Sequence, residues 1–568
     1  MQKMGVNMKR KTIFRNLFLF INLEFFILLI AVSSILLLPI AVDYRAKSLS
    51  TENLLAASVG GQTLNREILE IDISQVLSKD VFINENNFSP DLRHFAYQHS
   101  GNIFLDGSKV REDVAYPALI FFSPDSKRIG YIAPRGKKQA VVVDGKEGRY
   151  YDEIDLTGPI FSPDGKRFGY VAREGEDKYR DKWLAVVDGK EGKRYDSIIV
   201  SKGSFQKIVF SPDSRKFGYF GIIGSKMFLV LDGKEIKQYD DIREAGRLSF
   251  SPNGERMCYV SRRPDKTRTG YSKYFVTLGG RDGKEYDGIF IPPIFSPDSR
   301  RLAYGAAIDD GTGGKGFVVV NGEEGEKYTQ GTIPLPFFSP DSMTVAYIAT
   351  KLDKGGSCCK CFVVVNGKEG SKYDFIYLPL VFSPDGKRLA YRAKNGNKWF
   401  LVVDGKEGRQ FDAISFSHGY RNLSDFYFSL PPPVFSPDSK QITYIANDSG
   451  KYYVFVQGEK EKQYLSDENY QPIFSPDSKH VIYVVKEDAK MAVSVNGIKG
   501  GKYDWISFFG YGVSQIDDIQ DYYKDDYWRK TWVIFNSSDK FRYLAGNTQK
   551  DKDRKIYHYR LVEERIKY

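Results

Sequence analysis

Short apolar runs alternate with polar turns through most of this 568-residue chain, and the same order of runs returns about every forty residues. In one such unit, residues 159–161 are apolar and lead into Ser-Pro-Asp-Gly at residues 162–165. Proline presets φ at the second position of a type I turn, aspartate suits the third, and glycine accepts the left-handed position that follows. Residues 167–172 then return as a half-buried strand. The pattern predicts two antiparallel strands joined by a tight turn.

The second half of the unit predicts two more strands. Residues 183–187 form a continuous apolar run, which is consistent with a strand buried on both faces. The Asp-Gly pair at residues 188–189 is a strong hairpin signal because both residues accept a positive φ. Residues 193–198 are more polar and fit an exposed outer strand. Four strands in forty residues, with no helix between them, predict one antiparallel sheet per unit.

The unit recurs in register along the chain. The sequence Phe-Ser-Pro-Asp, once with Asn in place of Asp, begins at Phe88, Phe122, Phe161, Phe210, Phe250, Phe295, Phe338, Phe382, Phe435 and Phe474. A tyrosine follows nine positions later in every copy, at Tyr97, Tyr131, Tyr170, Tyr219, Tyr259, Tyr304, Tyr347, Tyr391, Tyr444 and Tyr483. A worn eleventh copy begins at Phe535. Forty residues is the length of a propeller blade, so the repeat predicts an all-β propeller of about eleven four-stranded blades.

Substitutions between the copies assign both turn motifs to folding. The hairpin is Asp-Gly at residues 188–189, Asn-Gly at 321–322 and Gly-Gly at 279–280. A catalytic or metal-binding carboxylate could not become an amide or disappear from copy to copy, whereas a turn residue can. The repeated Phe and Tyr are interpreted as core residues that pack successive sheets face to face.

The Pro-Asp turn, ten times in register, resembles the WD40-like repeats called PD40, which occur in the propeller domain of TolB. The resemblance covers residues 81–568. It implies a propeller with an interaction role, because TolB-type proteins are periplasmic propellers that bind partner proteins. TolB-like propellers close with six blades. Eleven units therefore predict two rings of five and six blades, divided near residues 290–335, and a single large ring is the alternative.

The N-terminal segment has a different pattern, with five basic residues before a long apolar run. Residues 25–42 carry no charge and would span about 27 Å as a helix, close to the thickness of a hydrocarbon core. The basic residues place the N-terminus inside and the rest of the chain across the membrane. A cleaved signal peptide is the alternative. The run exceeds the usual length of such a signal and is followed by no small-x-small site, so an uncleaved anchor is predicted.

These features divide the chain into five segments. Residues 1–16 are a cytoplasmic basic tail, 17–42 a transmembrane anchor, and 43–80 a stalk with some helical pattern. Residues 81–294 hold the first set of blades and 295–568 the second set. The predicted location is the cytoplasmic membrane, crossed once, with the C-terminal domain periplasmic or extracellular.

Charge and cysteine content favour neither a nucleic acid partner nor a metal. The formal net charge is +11, but acids and bases are interspersed, and no basic stripe with stacking aromatics is present. Cys258 stands alone, and Cys358, Cys359 and Cys361 crowd one loop without the spaced second pair of a structural zinc site. The sequence predicts no metal, no cofactor and no nucleic acid partner.

The sequence predicts no catalytic residues. Blades related to these precede the hydrolase domain of prolyl oligopeptidase-type enzymes, which would need a Gly-x-Ser-x-Gly turn. Nothing of this kind follows the blades, and the nearest string, residues 510–514, has the wrong spacing. The five histidines are scattered. A hydrolase or lyase that uses acidic residues gathered at one propeller mouth is the alternative function.

Two insertions, residues 415–433 and 505–532, break the regular spacing and are rich in aromatic residues. Loops on a rigid scaffold are where function concentrates, and Tyr, Trp and Arg dominate binding hot spots. The candidate partner-binding residues are Tyr420, Tyr427, Phe428, Trp505, Tyr522, Tyr523, Tyr527, Trp528 and Arg529. The alternative is that these aromatics cap the propeller ends or pack between rings. The sequence thus predicts a membrane-anchored, non-catalytic propeller that binds a protein, a peptide or an envelope glycan.

Overall fold

The chain is described from a computed structural model that covers residues 52–59, 62–72 and most of 89–567. The longer stretches outside the described residues are 1–51, 73–88, 113–118, 176–181, 201–206, 241–247, 353–358, 415–431 and 507–533. The predicted membrane span 17–42 is therefore not described. Within the described part of the chain, no helix is long and apolar enough to cross a membrane.

The described residues form eleven antiparallel sheets, numbered 1 to 11 along the chain, and most have four strands. The strands are Ala96–His99, Asn102–Leu105 and Ser108–Arg111 in sheet 1; Ile120–Phe122, Ile129–Arg135, Lys138–Val143 and Lys146–Glu147 in sheet 2; Glu153–Ile154, Ile160–Phe161, Phe168–Glu174, Lys182–Val187 and Lys190–Tyr195 in sheet 3; Ser197–Ile199, Val209–Phe210, Phe217–Ile223, Lys226–Leu231 and Lys234–Asp240 in sheet 4.

The next sheets repeat this order. The strands are Ser249–Phe250, Met257–Pro264, Ser272–Leu278 and Arg281–Asp282 in sheet 5; Gly288–Ile289, Ile294–Phe295, Leu302–Ile308, Lys315–Val320, Glu323–Glu324 and Tyr328–Thr329 in sheet 6; Phe337–Phe338, Val345–Leu352, Cys359–Val365 and Lys368–Tyr373 in sheet 7; Phe375–Phe382, Leu389–Asn395, Lys398–Val403 and Lys406–Phe411 in sheet 8.

The last sheets include the chain ends. The strands are Val434–Phe435, Ile442–Asp448, Lys451–Gln457 and Lys462–Leu465 in sheet 9; Ile473–Phe474, Val481–Glu487, Lys490–Val495 and Ile498–Tyr503 in sheet 10; Trp505–Ile506, Ile534–Ser537, Lys540–Asp551, Arg554–Lys567, Gln62–Asp72 and Glu52–Val59 in sheet 11. Successive antiparallel sheets of this kind are the units of a β-propeller, as the repeat predicts.

The Ser-Pro-Asp sequence forms the turn between the first and second strands, and its serine holds the turn closed. In sheet 3, Ser162 Oγ accepts a hydrogen bond from the backbone N–H of Arg167 (2.9 Å) and donates one to Asp164 Oδ1 (2.7 Å). Ser162 is fully buried. The motif therefore shapes a corner, in agreement with the sequence interpretation.

Most of the described turns also contact the turn of the next sheet. The backbone N–H of Asp164 donates to Ser214 Oγ in sheet 4 (3.0 Å). Arg167 crosses the same boundary and donates to the carbonyl oxygens of Ser214 (3.2 Å) and Arg215 (2.9 Å). The equivalent residues that reach the following turn in other sheets are Arg128, Arg256, Arg301 and Arg388. These bonds fix the spacing and the order of neighbouring sheets.

Aromatic rings fill the space between the sheets. Tyr170, nine positions after the motif phenylalanine, meets Tyr151 of the preceding unit edge-on, with ring centroids 6.1 Å apart. Burial raises the pKa of Tyr170 to about 12. Equivalent pairs are Tyr195–Tyr219, Tyr239–Tyr259, Tyr286–Tyr304, Tyr328–Tyr347, Tyr373–Tyr391 and Phe411–Tyr444. Core clusters join residues of neighbouring sheets, so the predicted face-to-face packing is confirmed.

The repeated phenylalanine lies at the rim of the core in several sheets, and not at its centre. Phe161 is half-buried and lies 5.3 Å below the guanidinium carbon of Arg128 from the preceding sheet. Arg256 covers Phe295 in the same way at 5.2 Å. A cation over an aromatic face is attracted to the ring, so the arginine that links two turns also covers the edge of the core.

An aspartate after the core tyrosine joins the sheets on the opposite side from the Ser-Pro-Asp turns. Asp196 accepts a hydrogen bond from Lys182 in sheet 3 and another from the backbone N–H of Gly224 in sheet 4 (2.7 Å). The same arrangement is present at Asp374 with Lys360 and Gly396, and at Asp412 with Lys398 and Ser449. The sequence analysis placed this segment at an exposed outer edge and missed the contact.

Sheet 11 is built from both ends of the chain. Arg554–Lys567 pairs on one side with Lys540–Asp551 and on the other with Gln62–Asp72, and Glu52–Val59 adds a strand at the edge. The helical pattern predicted for part of residues 43–80 is therefore wrong for these strands. Their structure is decided by pairing with the C-terminal strand, which local apolar spacing does not reveal. Gln62–Asp72 is the fourth strand of sheet 11, next to Arg554–Lys567. In the other sheets the fourth strand comes last in the chain and is followed by the next sheet.

Hydrogen bonds between turns join sheet 6 to both of its neighbours in the region of residues 290–335, where the sequence predicts a division between two rings. The backbone N–H of Asn253 donates to Ser299 Oγ (2.9 Å) and joins sheets 5 and 6. The backbone N–H of Asp298 donates to Ser342 Oγ (2.8 Å) and joins sheets 6 and 7. The number of rings and of blades in each ring stays a prediction.

The turns predict a loss of stability in acid. The hydrogen bond from the neighbouring serine holds the pKa of Asp164 and Asp298 below the ordinary value, as it does in the equivalent turns. A carboxyl group with a lower pKa in the folded state binds fewer protons there than in the unfolded chain. Its contribution is complete above the unfolded pKa of about 4 and is lost as pH falls through the folded pKa. Thermal unfolding midpoints should therefore fall between about pH 5 and pH 2.

Asn253 supplies a matched control, because its amide oxygen accepts the same serine bond in sheet 5 (2.7 Å) without titrating. A variant with Asp164→Asn, Asp298→Asn and Asp385→Asn should keep its turns and lose part of the acid dependence. An unchanged slope of the midpoint against pH would contradict this assignment.

Candidate functional site

The first strand of several sheets is divided into two pieces, and the chain leaves the sheet between them. In sheet 4, Ser197–Ile199 and Val209–Phe210 both pair with Phe217–Ile223. In sheet 3, Glu153–Ile154 and Ile160–Phe161 share one partner strand in the same way. We call the chain between the two pieces the excursion of that sheet. Because the first strand is an edge of its sheet, the excursions of stacked sheets leave along one side of the stack.

Both aromatic insertions lie directly before the piece of strand that carries the repeated phenylalanine. Residues 507–533 leave sheet 11 between Trp505–Ile506 and Ile534–Ser537, which pair with the same second strand. Residues 415–431 directly precede Pro432, which leads into Val434–Phe435, the first strand of sheet 9. The insertions therefore arise at equivalent points of two sheets, with only sheet 10 between them.

The structure describes the strands that flank these insertions, but most of the predicted binding residues lie outside the described residues. The candidates outside the described residues are Tyr420, Tyr427, Phe428, Tyr522, Tyr523, Tyr527, Trp528 and Arg529. Trp505 is described through its backbone, which pairs with Gly546. The binding roles of all nine residues stay predictions.

The excursions of sheets 3 and 4 meet in a shielded ion pair. Lys207 Nζ lies 2.5 Å from Asp155 Oδ2 and 4.6 Å from the centroid of the Trp183 ring. Each charged side chain is only 14% exposed. Charges attract more strongly when water is largely excluded, so this contact pins one excursion to the next. Sequence reasoning missed it because the two residues are distant in the chain and belong to no repeated motif.

Sheet 8 keeps its first strand continuous, and a buried arginine supports the irregular part. Phe375–Phe382 pairs with the second strand on both sides of a register shift that follows Tyr377. Arg392 is 1% exposed and donates to the carbonyl oxygen of Leu378 (3.0 Å), with its guanidinium carbon 5.7 Å from the Tyr377 ring centroid. The equivalent residue is Gln98 in sheet 1 and is apolar or glycine in sheets 2 to 7, 9 and 10. A cation thus supports the bulge that here stands in place of an excursion.

Several titratable groups of the described sheets have shifted pKa values because they are buried or hydrogen-bonded. No group of three or more His, Cys, Asp or Glu among the described residues is placed to hold a metal ion. Burial raises the pKa of the Cys258 thiol, which disfavours the reactive thiolate. Burial lowers the pKa of His480, whose Nδ1 lies 3.0 Å from the side-chain nitrogen of Asn496.

No family model and no curated protein matches this chain. Among solved structures, it is similar to a eukaryotic initiation factor at 12% identity over 65% of this chain and 95% of the other, with a TM-score of 0.34. It is similar to the β-propeller domain of the trilobed protease from Pyrococcus furiosus at 13% identity over 62% and 99%, with a TM-score of 0.25. TolB from Acinetobacter baumannii matches at 13% identity over 51% and 77%, with a TM-score of 0.21. Likenesses this low carry no argument about function, and the PD40 assignment stays a prediction.

The ion pair between the excursions yields a stability prediction. Lys207→Met leaves Asp155 charged in a shielded position, so we expect the free energy of unfolding to fall by roughly 3 kcal/mol, near the lower end for a broken buried pair. Lys182→Met removes an exposed partner of Asp196, whose pair is 49% and 40% exposed, and should change stability by less than about 1 kcal/mol. Urea unfolding midpoints measure both changes. If the two variants lost equal free energy of unfolding, the ion pair of Lys207 would not hold the two excursions together.

Proposed function

We propose that this protein is a membrane-anchored, non-catalytic propeller that binds a protein or peptide partner outside the cytoplasmic membrane. Residues 17–42 are its anchor and the stack of sheets is its scaffold. The observation that carries the proposal is the equivalent position of the two aromatic insertions, one directly before the first strand of sheet 9 and the other within the divided first strand of sheet 11. Insertions that leave a rigid stack along the same side can contact one partner together.

Composition supports a polypeptide as the partner. Residues 415–433 and 505–532 combine tyrosine, tryptophan, phenylalanine and arginine, which are the residue types enriched at protein interfaces. Aromatic rings also stack on sugars, so an envelope glycan is the outcome that competes with a polypeptide. No observation on the described sheets favours the hydrolase or lyase alternative, and the proposal assigns no reaction to the protein.

The proposal is tested by capture of partners from detergent-solubilised membranes of the source cells, with the full-length protein as bait. Tyr527→Ala with Trp528→Ala should abolish capture and leave thermal stability unchanged, because the proposal places these rings in contact with the partner. Tyr271→Ala is the matched control, since Tyr271 is an aromatic residue 61% exposed on a hairpin of sheet 5. Its capture should equal that of the unaltered protein.

Two results would count against the proposal. Undiminished capture by the double variant would remove these residues from the interface. A large drop in its melting temperature would favour the alternative in which the aromatics pack between sheets. Captured material that survives protease but is lost on glycosidase treatment would identify a glycan in place of a polypeptide.

A further inference from the structure

Sheet 11 extends further than the other sheets on the side away from the Ser-Pro-Asp turns. Trp505 pairs with Gly546, and the second strand continues five residues beyond that partner to Asp551. In sheet 3 the second strand ends one residue after the partner of Glu153, at Glu174. At about 3.4 Å per residue, the hairpin of sheet 11 projects about 17 Å past its first strand. We call residues 547–551 and 554–558, which pair with each other, the distal hairpin.

The edge strand of sheet 11 begins on the side of the distal hairpin. Glu52 pairs with Leu69, Leu69 with Glu563, and Glu563 with Arg542, so Glu52 and Arg542 stand at one level of the sheet. From Glu52 the edge strand runs towards the Ser-Pro-Asp side. The start of this strand at Glu52 therefore faces the side on which the distal hairpin projects.

The reach of the chain sets how far the membrane can lie from the sheet. Asp551 is nine residues beyond Arg542 in the same strand, so the tip of the distal hairpin stands about 31 Å below the level of Glu52. Between Val42, the end of the predicted membrane span, and Glu52 the chain can extend at most about 35 Å. With the strands upright, the membrane surface can lie only a few ångströms beyond the hairpin tip.

The charges of the distal hairpin suit this position. Lys550 pairs with Lys555 across the hairpin, and Asp551 pairs with Arg554. Like charges directly opposite each other on two strands are destabilising unless a counter-charge lies near them. Lipid phosphates supply such a counter-charge, and basic residues gain energy near an anionic bilayer surface.

We propose that the distal hairpin rests on the membrane that holds the anchor, and that Lys550 and Lys555 bind the phosphates of anionic phospholipids. This inference depends on the anchoring part of the proposed function. The contact would fix the height and tilt of the stack above the bilayer. It would also present the aromatic excursion of sheet 11, which starts in the same sheet, at a set distance from the membrane.

The test uses the full chain in nanodiscs of zwitterionic lipid with or without anionic lipid, and measures amide hydrogen exchange in the distal hairpin. We expect exchange there to slow roughly fivefold or more when anionic lipid is present. Lys550→Glu with Lys555→Glu should lose this response. The exchanged pair is again a like-charge pair, so the hairpin itself is not weakened further. Lys166→Glu with Lys190→Glu, two exposed residues on the Ser-Pro-Asp side, should keep the response.

The result that overturns the inference is equal exchange of the distal hairpin in both lipid compositions while the chain stays in the bilayer. Alkaline carbonate extraction separates this failure from failure of the anchoring proposal. A chain released by carbonate has no membrane span, and both proposals then fall. A chain that resists extraction but shows no lipid response overturns the hairpin contact alone.

Discussion

Sheets 2 to 10 bury apolar side chains on both faces, and neither face can be left against water. Tyr170 and Tyr151 show the consequence, since both are buried although they come from successive units. A sheet with two apolar faces needs another sheet on each side, and the repeat supplies those neighbours in chain order. The turn serines, the linking arginines and the Tyr-Asp pairs all act at these boundaries. The free energy that stabilises the fold is therefore placed between the units more than within them.

This constraint also determines what the chain ends must do. A linear stack leaves one apolar face uncovered at each end, and sheet 11 takes its outer strands from residues 52–72. The segment that completes the last sheet leads on into the first unit, so the two ends of the stack share one piece of chain. Such a sheet couples the stability of the stack to the N-terminal strands Glu52–Val59 and Gln62–Asp72. The first strands, by contrast, tolerate long excursions because they lie at an edge with one partner strand.

The sequence predicts the sheets well because its signals are local and repeated ten times. The Ser-Pro-Asp turn and the Asp-Gly hairpin each report a backbone geometry, and the buried tyrosines report the core. The Tyr-Asp pair also recurs, at Asp152, Asp196 and Asp374, and its recurrence could have pointed to a boundary contact. The strands 52–72 could not be found this way, because their partner lies at the other end of the chain and their apolar spacing also fits a helix. The ion pair of Asp155 and Lys207 joins two excursions of unrelated sequence, so no sequence pattern predicts it.

The candidate binding site was likewise only partly predictable from the sequence. Composition singles out residues 415–433 and 505–532, but only the strand register shows that one directly precedes the first strand of sheet 9 and that the other leaves the divided first strand of sheet 11. How the two insertions are placed relative to each other depends on strand pairing between distant residues, which local sequence patterns do not reveal. The sequence therefore identifies the segments, and the structure adds the scaffold that holds them.

The most direct measurement of the central claim is hydrogen exchange in residues 554–567, compared between the full chain and a variant in which residues 52–72 are replaced by a flexible linker of equal length. Residues 52–72 pair with residues 554–567 and complete sheet 11. If the sheets need covered faces and paired edges, the variant loses amide protection across residues 554–567 and in the adjacent sheet 10. Unchanged protection in both regions would show that the ends of the stack need no covering, and would contradict the account.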